Sequence, residues 1–131
     1  MIVFTTVASS PHITDATVFE HNPLVLHISL RDLAPEILLK SQNVVDDVDH
    51  VMKANTSPHL AEQQCGNRDF VTGTLAEIML GRKWVNRNSP IIFSPFGMGI
   101  LDVAVGKWVY DQAAAAGRDQ RLSDFFYETA R

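Results

Sequence analysis

At 131 residues the chain has the length of one domain, enough to bury a core, and its 46% hydrophobic and 20% charged content is that of a globular protein. A formal charge of −4, from 15 acidic and 11 basic residues, gives no electrostatic footprint for nucleic acid or an anionic membrane. The single cysteine, Cys65, excludes an internal disulfide framework and fits a reducing compartment, and the apolar opening Met1-Ile2-Val3-Phe4 is too short for a signal peptide or membrane span, so cytoplasm is the expected location.

Taken in order, residues 2–7 have strand character from the outset, as though the chain began inside a sheet. Residues 8–12 read as loop, residues 14–19 as a short turn of helix, and Asn22-Pro23 as a turn. Val25-Leu26-His27-Ile28 is a β-rich run. Pro35 then suits the first turn of a helix over 35–41, because an N–H there needs no intrahelical partner. Residues 43–48 return as a strand, and strand–helix–strand with so few connecting residues predicts a right-handed parallel crossover. Ligands gather at the carboxyl ends of such strands, which places the working edge at Ser29-Leu30-Arg31-Asp32. Residues 51–54 suggest one helical turn. A longer helix is expected from Ser57 as N-cap, with Pro58 at its first position, to Gly66. Residues 74–80 form another, closed by Gly81 and the cations Arg82 and Lys83. Ile91-Ile92-Phe93 is a short apolar strand, with a turn out of it over 94–97. Residues 98–116 make the longest helix, with Leu101, Val105, Val109 and Ala113 four apart. Of the remainder, Leu122, Phe125, Phe126 and Tyr127 form an apolar cluster expected to lack cover within this chain.

Few motifs carry chemistry. Gly97-Met98-Gly99 between strand and helix invites a dinucleotide fingerprint, but Asp102 stands where the third glycine belongs and no acid-ended strand follows. There is no P-loop. His12, His21, His27, His50 and His59 show no ligand spacing and Cys65 has no cysteine partner, so no metal site is expected. Asp46, Asp47, Asp49 and His50 read as a solvated strand end. Ser9, Ser10 and Ser57 lack a nucleophile elbow. Two readings of Asp32 stay open. It follows a strand whose end faces a ligand cleft, beside Arg31, which could lower its pKa or pair with a substrate carboxylate. It also stands where an aspartate commonly caps a helix such as the one near Pro35.

The segments 27–33 (HISLRDL), 92–102 (IFSPFGMGILD) and 2–6 (IVFTT), in that family order, resemble the C-terminal part of the ornithine cyclodeaminase/mu-crystallin family. The likeness is closest to the NAD-dependent enzymes of 2,3-diaminopropionate biosynthesis, which make a siderophore or nonribosomal-peptide precursor. The resemblance implies that Asp32 is the proton donor and acceptor beside the nicotinamide. It implies that Thr5, Thr6, His27, Ile28, Ser29, Leu30 and Pro95 meet the cofactor, and that Phe96 and Gly97 close over the substrate, ahead of an aspartate equivalent to Asp102. The family's common Pro-Gly-Lys segment after the aspartate is missing, since Leu33-Ala34-Pro35-Glu36 follows directly; this favours the diaminopropionate branch.

The implied fold is α/β, the second half of a doubly wound, Rossmann-type parallel sheet. Residues 1–95 would be a partial nucleotide-binding domain, and residues 96–131 a helical segment packing toward a substrate and dimerisation domain that this chain lacks. The implied activity is NAD-dependent oxidative cleavage of an amino-acid-derived secondary amine to 2,3-diaminopropionate and a 2-oxo acid. Its partners are that small molecule and, in the full-length form, a second copy, with neither nucleic acid nor membrane. The competing readings are a truncated, inactive remnant or interaction module, and an ornithine cyclodeaminase-type ammonia lyase.

Overall fold

Five short strands form one sheet, β1 (Ile2–Phe4), β2 (Leu24–His27), β3 (Gln42–Val45), β4 (Val71–Thr74) and β5 (Ile91–Ser94), in the order β1-β2-β5-β3-β4. Every pairing is parallel. The computed structural model describes residues 1–120 and Leu122, and the chain divides into two compact units, residues 1–97 and 98–131.

The expected parallel unit is present as β2, α1 (Pro35–Leu38) and β3, but β5 lies between its two strands. An apolar run such as Ile91-Ile92-Phe93, without polar alternation, suits this central place. The connections β1→β2, β2→β3 and β3→β4 step one way across the sheet, and β4→β5 steps back. Right-handed crossovers therefore put the 3-10 turn Ala16–Phe19, α1, α2 (Val48–Val51) and α3 (Ser57–Cys65) over one face, and α4 (Leu75–Met79) over the other. This is the doubly wound arrangement of a nucleotide-binding sheet.

The core follows from that asymmetry. Val25 and Ile92 pair in register and pack with Phe19, Leu33, Ala34, Ile37, Leu38 and Ala61, while Val45, Val51 and Met52 form a second cluster. On the face with one short helix, Val3 and Leu24 remain 48% and 44% exposed.

Local chemistry sets the ends. Strand β3 stops at Val45 because Asp47 turns the chain, its carboxylate accepting the His50 N–H, and helix begins at Val48 rather than Val51. Thr56, not Ser57, caps α3: its backbone is extended and its Oγ1 accepts the His59 N–H, so Ser57 and Pro58 are the first two helical residues. Strand β4 was not expected from a run containing Gly73, since glycine weakens a strand. Here Gly73 is buried, and a Cβ on it would stand 3.0 Å from Lys83 Cγ, so a larger residue would fit only if the Lys83 and Glu77 side chains shifted. Thr74 ends β4 and caps α4 in a reciprocal box with Glu77.

In the second unit, α5 (Gly99–Ala115) leaves Leu101, Val105 and Val109 at 52%, 60% and 52% exposed, and Leu122 is 60% exposed. Phe125, Phe126 and Tyr127 lie outside the described residues. No helix among the described residues is long and apolar enough to cross a membrane.

Candidate functional site

Strand register assembles the carboxyl edge. Phe4 pairs with His27, so Thr5 and Thr6 leave the sheet beside Ile28 and Ser29, whose N–H groups donate to the Phe4 carbonyl at 3.0 and 3.1 Å. Leu26 pairs with Phe93, which sets His27 abreast of Ser94, and Ser94 pairs with Val45, which sets Pro95 abreast of Asp46. Thr5, Thr6, Ile28, Ser29, Pro95 and Asp46 thus follow one another along one edge. Behind it, Leu30 takes a left-handed conformation, φ 67°, and its carbonyl accepts the Ser57 N–H at 2.6 Å. The Arg31 guanidinium donates to the Ala54 carbonyl at 2.7 Å.

Asp32 is fully buried at this edge. Thr6 Oγ1 donates to Asp32 Oδ1, and His12 Nδ1 stands 3.8 Å from the same oxygen. Among the described residues Oδ2 has no hydrogen-bond partner, and neither does the buried hydroxyl of Ser29. The Asp32 carbonyl accepts the N–H groups of His12 and Ile13 at 3.0 and 2.8 Å. The helix-cap reading fails on this geometry: the N-cap of α1 is Ala34, with no side-chain cap bond, and the Asp32 carboxylate faces β1 instead.

His27, expected to line the cofactor, lies beneath the edge with no exposure. Its Nε2 accepts the Asp32 N–H at 3.3 Å and its Nδ1 is 3.2 Å from Ser94 Oγ, while the Phe4 ring meets it edge-on. Burial drives its pKa down to about 4, against the attraction of Asp32, so the ring is neutral near pH 7.

The acidic residues after β3 have separate tasks. Asp46 accepts the Phe96 N–H on Oδ1 at 3.0 Å and the Gly97 N–H on Oδ2 at 2.6 Å, and so holds the turn that carries both. Gly97 supplies the φ of +95° this turn needs. The Phe96 ring centre lies 6.5 Å from that of His50. Asp47 is the cap of α2, and Asp49 pairs with Arg68 at 2.7 Å. Sequence reading missed the Asp46 clamp. The signal available was an acid directly after a strand, but its partner turn becomes visible only when β5 is known to lie beside β3.

No group of three metal-ligating side chains occurs among the described residues. Two cavities, of about 510 and 410 Å³, open at the opposite edge, where Asn22, Lys40 and Pro90 line the first and His21, Arg87 and Ile91 the second; neither reaches Asp32.

No protein-family model and no curated protein matches the chain. Solved structures do. The crystal structure of CmnK is 30% identical over 95% of this chain, with a TM-score of 0.78, and the chain covers 38% of it. An archaeal alanine dehydrogenase dimer with bound NAD is 26% identical over 94% of the chain, TM-score 0.76, with 40% of its length covered. The Delta(1)-pyrroline-2-carboxylate reductase of Thermococcus litoralis, in complex with NADH and L-proline, shares the fold at 22% identity over 92% of the chain, with a TM-score of 0.80 and 39% of its length covered. These likenesses show a parallel, doubly wound NAD-binding fold, over a chain that spans 38 to 40% of the length of the structures it matches.

Proposed function

We propose that this chain supplies the nicotinamide side and the acid–base group of an NAD-dependent oxidoreductase that cleaves an amino-acid-derived secondary amine to 2,3-diaminopropionate and a 2-oxo acid. The observation that carries the reading is the state of Asp32: buried at the carboxyl edge of a parallel sheet, bonded to Thr6, with Oδ2 unpaired. The residues fit the nicotinamide half of the cofactor. Ile28 and Phe96 present 47% and 39% exposed apolar side chains, and Ser29 holds a buried hydroxyl without a partner. The sequence carries no glycine-rich loop for the pyrophosphate, so the reading concerns the nicotinamide half of the cofactor. The bound cofactor would supply the hydride acceptor.

The chain's own part is proton movement. Asp32 has no exposure, whereas Thr6 is exposed and already donates to it. As hydride leaves the carbon bearing the amine, the amine proton passes to Thr6 Oγ while the Thr6 proton passes to Asp32. Water adds to the resulting C=N bond, and the same two groups return the proton to the departing nitrogen. A primary amine and a 2-oxo acid result. A positioned carboxylate of this kind contributes roughly 10²–10⁴ in rate.

Support from relatives is of the same kind: the Thermococcus reductase is seen with NADH and an amino acid, and the alanine dehydrogenase with NAD and as a dimer. We propose a homodimer for the whole protein on that ground. The test joins this chain to the remaining length of its solved neighbours. Asp32→Asn should lower kcat by about 10²–10⁴ and change NAD affinity less than about twofold. An active Asp32→Asn protein would overturn the assignment.

A further inference from the structure

We propose that His27 is the positioning residue of the site: Ser94 holds it in the tautomer whose bare Nε2 accepts the Asp32 backbone N–H, and this fixes the Asp32 carboxylate with Oδ2 unpaired. The inference rests on the reading of Asp32 as the acid–base group and extends it to two residues that touch neither cofactor nor substrate.

Three arrangements of His27 and Asp32 compete, and geometry separates them. In an ion pair, Nε2 would carry a proton toward Oδ2; the two atoms are 3.9 Å apart, beyond hydrogen-bond reach, and Nε2 instead faces the Asp32 N–H at 3.3 Å. One lone pair cannot accept that hydrogen and also hold a proton. In a proton store, His27 would take the proton that Asp32 receives. With a pKa near 4, a proton on His27 at pH 7 is disfavoured by about a thousandfold, so storage there would stall the reaction. The neutral tautomer remains. Nδ1 then carries the hydrogen, 3.2 Å from Ser94 Oγ, and Ser94 sits opposite because β5 lies beside β2 in the sheet. Among the described residues Asp32 is the charged group that acts on the ring, and both His27 and Ser94 are sealed from water, so no solvent competes for either ring nitrogen.

A fixed Asp32 backbone matters because Oδ1 must stay within reach of Thr6 Oγ1, from which it receives the proton. The Asp32 carbonyl is held by His12 and Ile13, and its N–H is held by His27 alone. Removing the ring therefore frees one side of the residue.

The experiment uses the chain itself with uniform ¹⁵N labelling, and needs no cofactor. Multiple-bond ¹H–¹⁵N correlation at pH 7 should show His27 with Nδ1 protonated and Nε2 bare. Hydrogen exchange should show a protected Asp32 amide, with protection falling about tenfold in His27→Phe and largely restored in His27→Gln, whose carbonyl oxygen can accept the same N–H. Ser94→Ala should populate the other tautomer. A protonated Nε2 in the unsubstituted chain at pH 7, or equal Asp32 protection in His27→Phe, would overturn the proposal, and the first of these needs no variant to fold. A joined protein whose Asp32→Asn variant stays active would overturn the proposed function and the catalytic meaning of the positioning, whereas the tautomer and the Asp32 amide protection test the His27 geometry separately.

Discussion

Acid should destabilise this chain through His27. His27 has an ordinary pKa of 6.5 and a folded value of about 4, so the unfolded chain binds its proton first. The stabilising effect of keeping the ring neutral is complete above pH 6.5, is lost as pH falls through the interval, and stays lost below about 4. The total is about 3 kcal/mol, with a steepest slope of about 1.4 kcal/mol per pH unit. Against a domain stability of roughly 5–15 kcal/mol this is a large share. Asp15 and Glu77 are both held below their ordinary values of 3.8 and 4.5 by bonds from Thr17 and Thr74, so what they contribute is lost lower on the pH scale. Urea unfolding at pH 7, 6, 5 and 4 measures the effect: the midpoint should fall by about 1–3 M across the series. His27→Gln should be flatter by up to the whole 3 kcal/mol. Parallel curves for the two proteins would refute the assignment of the slope to His27.

Three further outcomes follow from packing and capping. Ile92→Ala, at a fully buried position on the central strand, should lower stability by about 2–5 kcal/mol in urea unfolding. Thr74→Ala removes half of the capping box and should cost about 1 kcal/mol, with early amide exchange confined to α4. Asp46→Ala should leave the unfolding free energy within about 1 kcal/mol but abolish exchange protection at Phe96 and Gly97, because one carboxylate holds both N–H groups.

What the amino acids reveal by themselves is local. The apolar run at β5, the proline-led start of α1 and the long period-four stripe of α5 are readable because a strand or helix is decided by neighbours within a few residues. Parallel strands and a working edge after β2 also follow from such spacing. The order of strands does not, since β5 enters between β2 and β3 through a backward crossover that depends on residues far along the chain. The cap of α3 went to Thr56 rather than Ser57 by a difference in backbone angle that residue type does not disclose, and Gly73 hid β4. The site shows the same division. Ser29 and Asp32 announce themselves as polar residues at a strand end, and Thr6 is pointed to by the family resemblance. The Ser94 that sets the His27 tautomer is 67 residues away from it, and the Asp46 clamp reaches Phe96 across 50, so both become legible only once the sheet is assembled.

The central claim is that the carboxyl edge of this sheet receives the nicotinamide half of a dinucleotide. Its most direct measurement is a titration of the ¹⁵N-labelled chain with nicotinamide mononucleotide, followed residue by residue and repeated with adenosine monophosphate. Nicotinamide mononucleotide should shift the amides of Thr5, Thr6, Ile28, Ser29, Phe96 and Gly97, with weak, millimolar-range affinity, and adenosine monophosphate should leave them unmoved. Shifts confined to the opposite edge, around Asn22, Lys40 and Pro90, or an edge that answers both nucleotides alike, would contradict it.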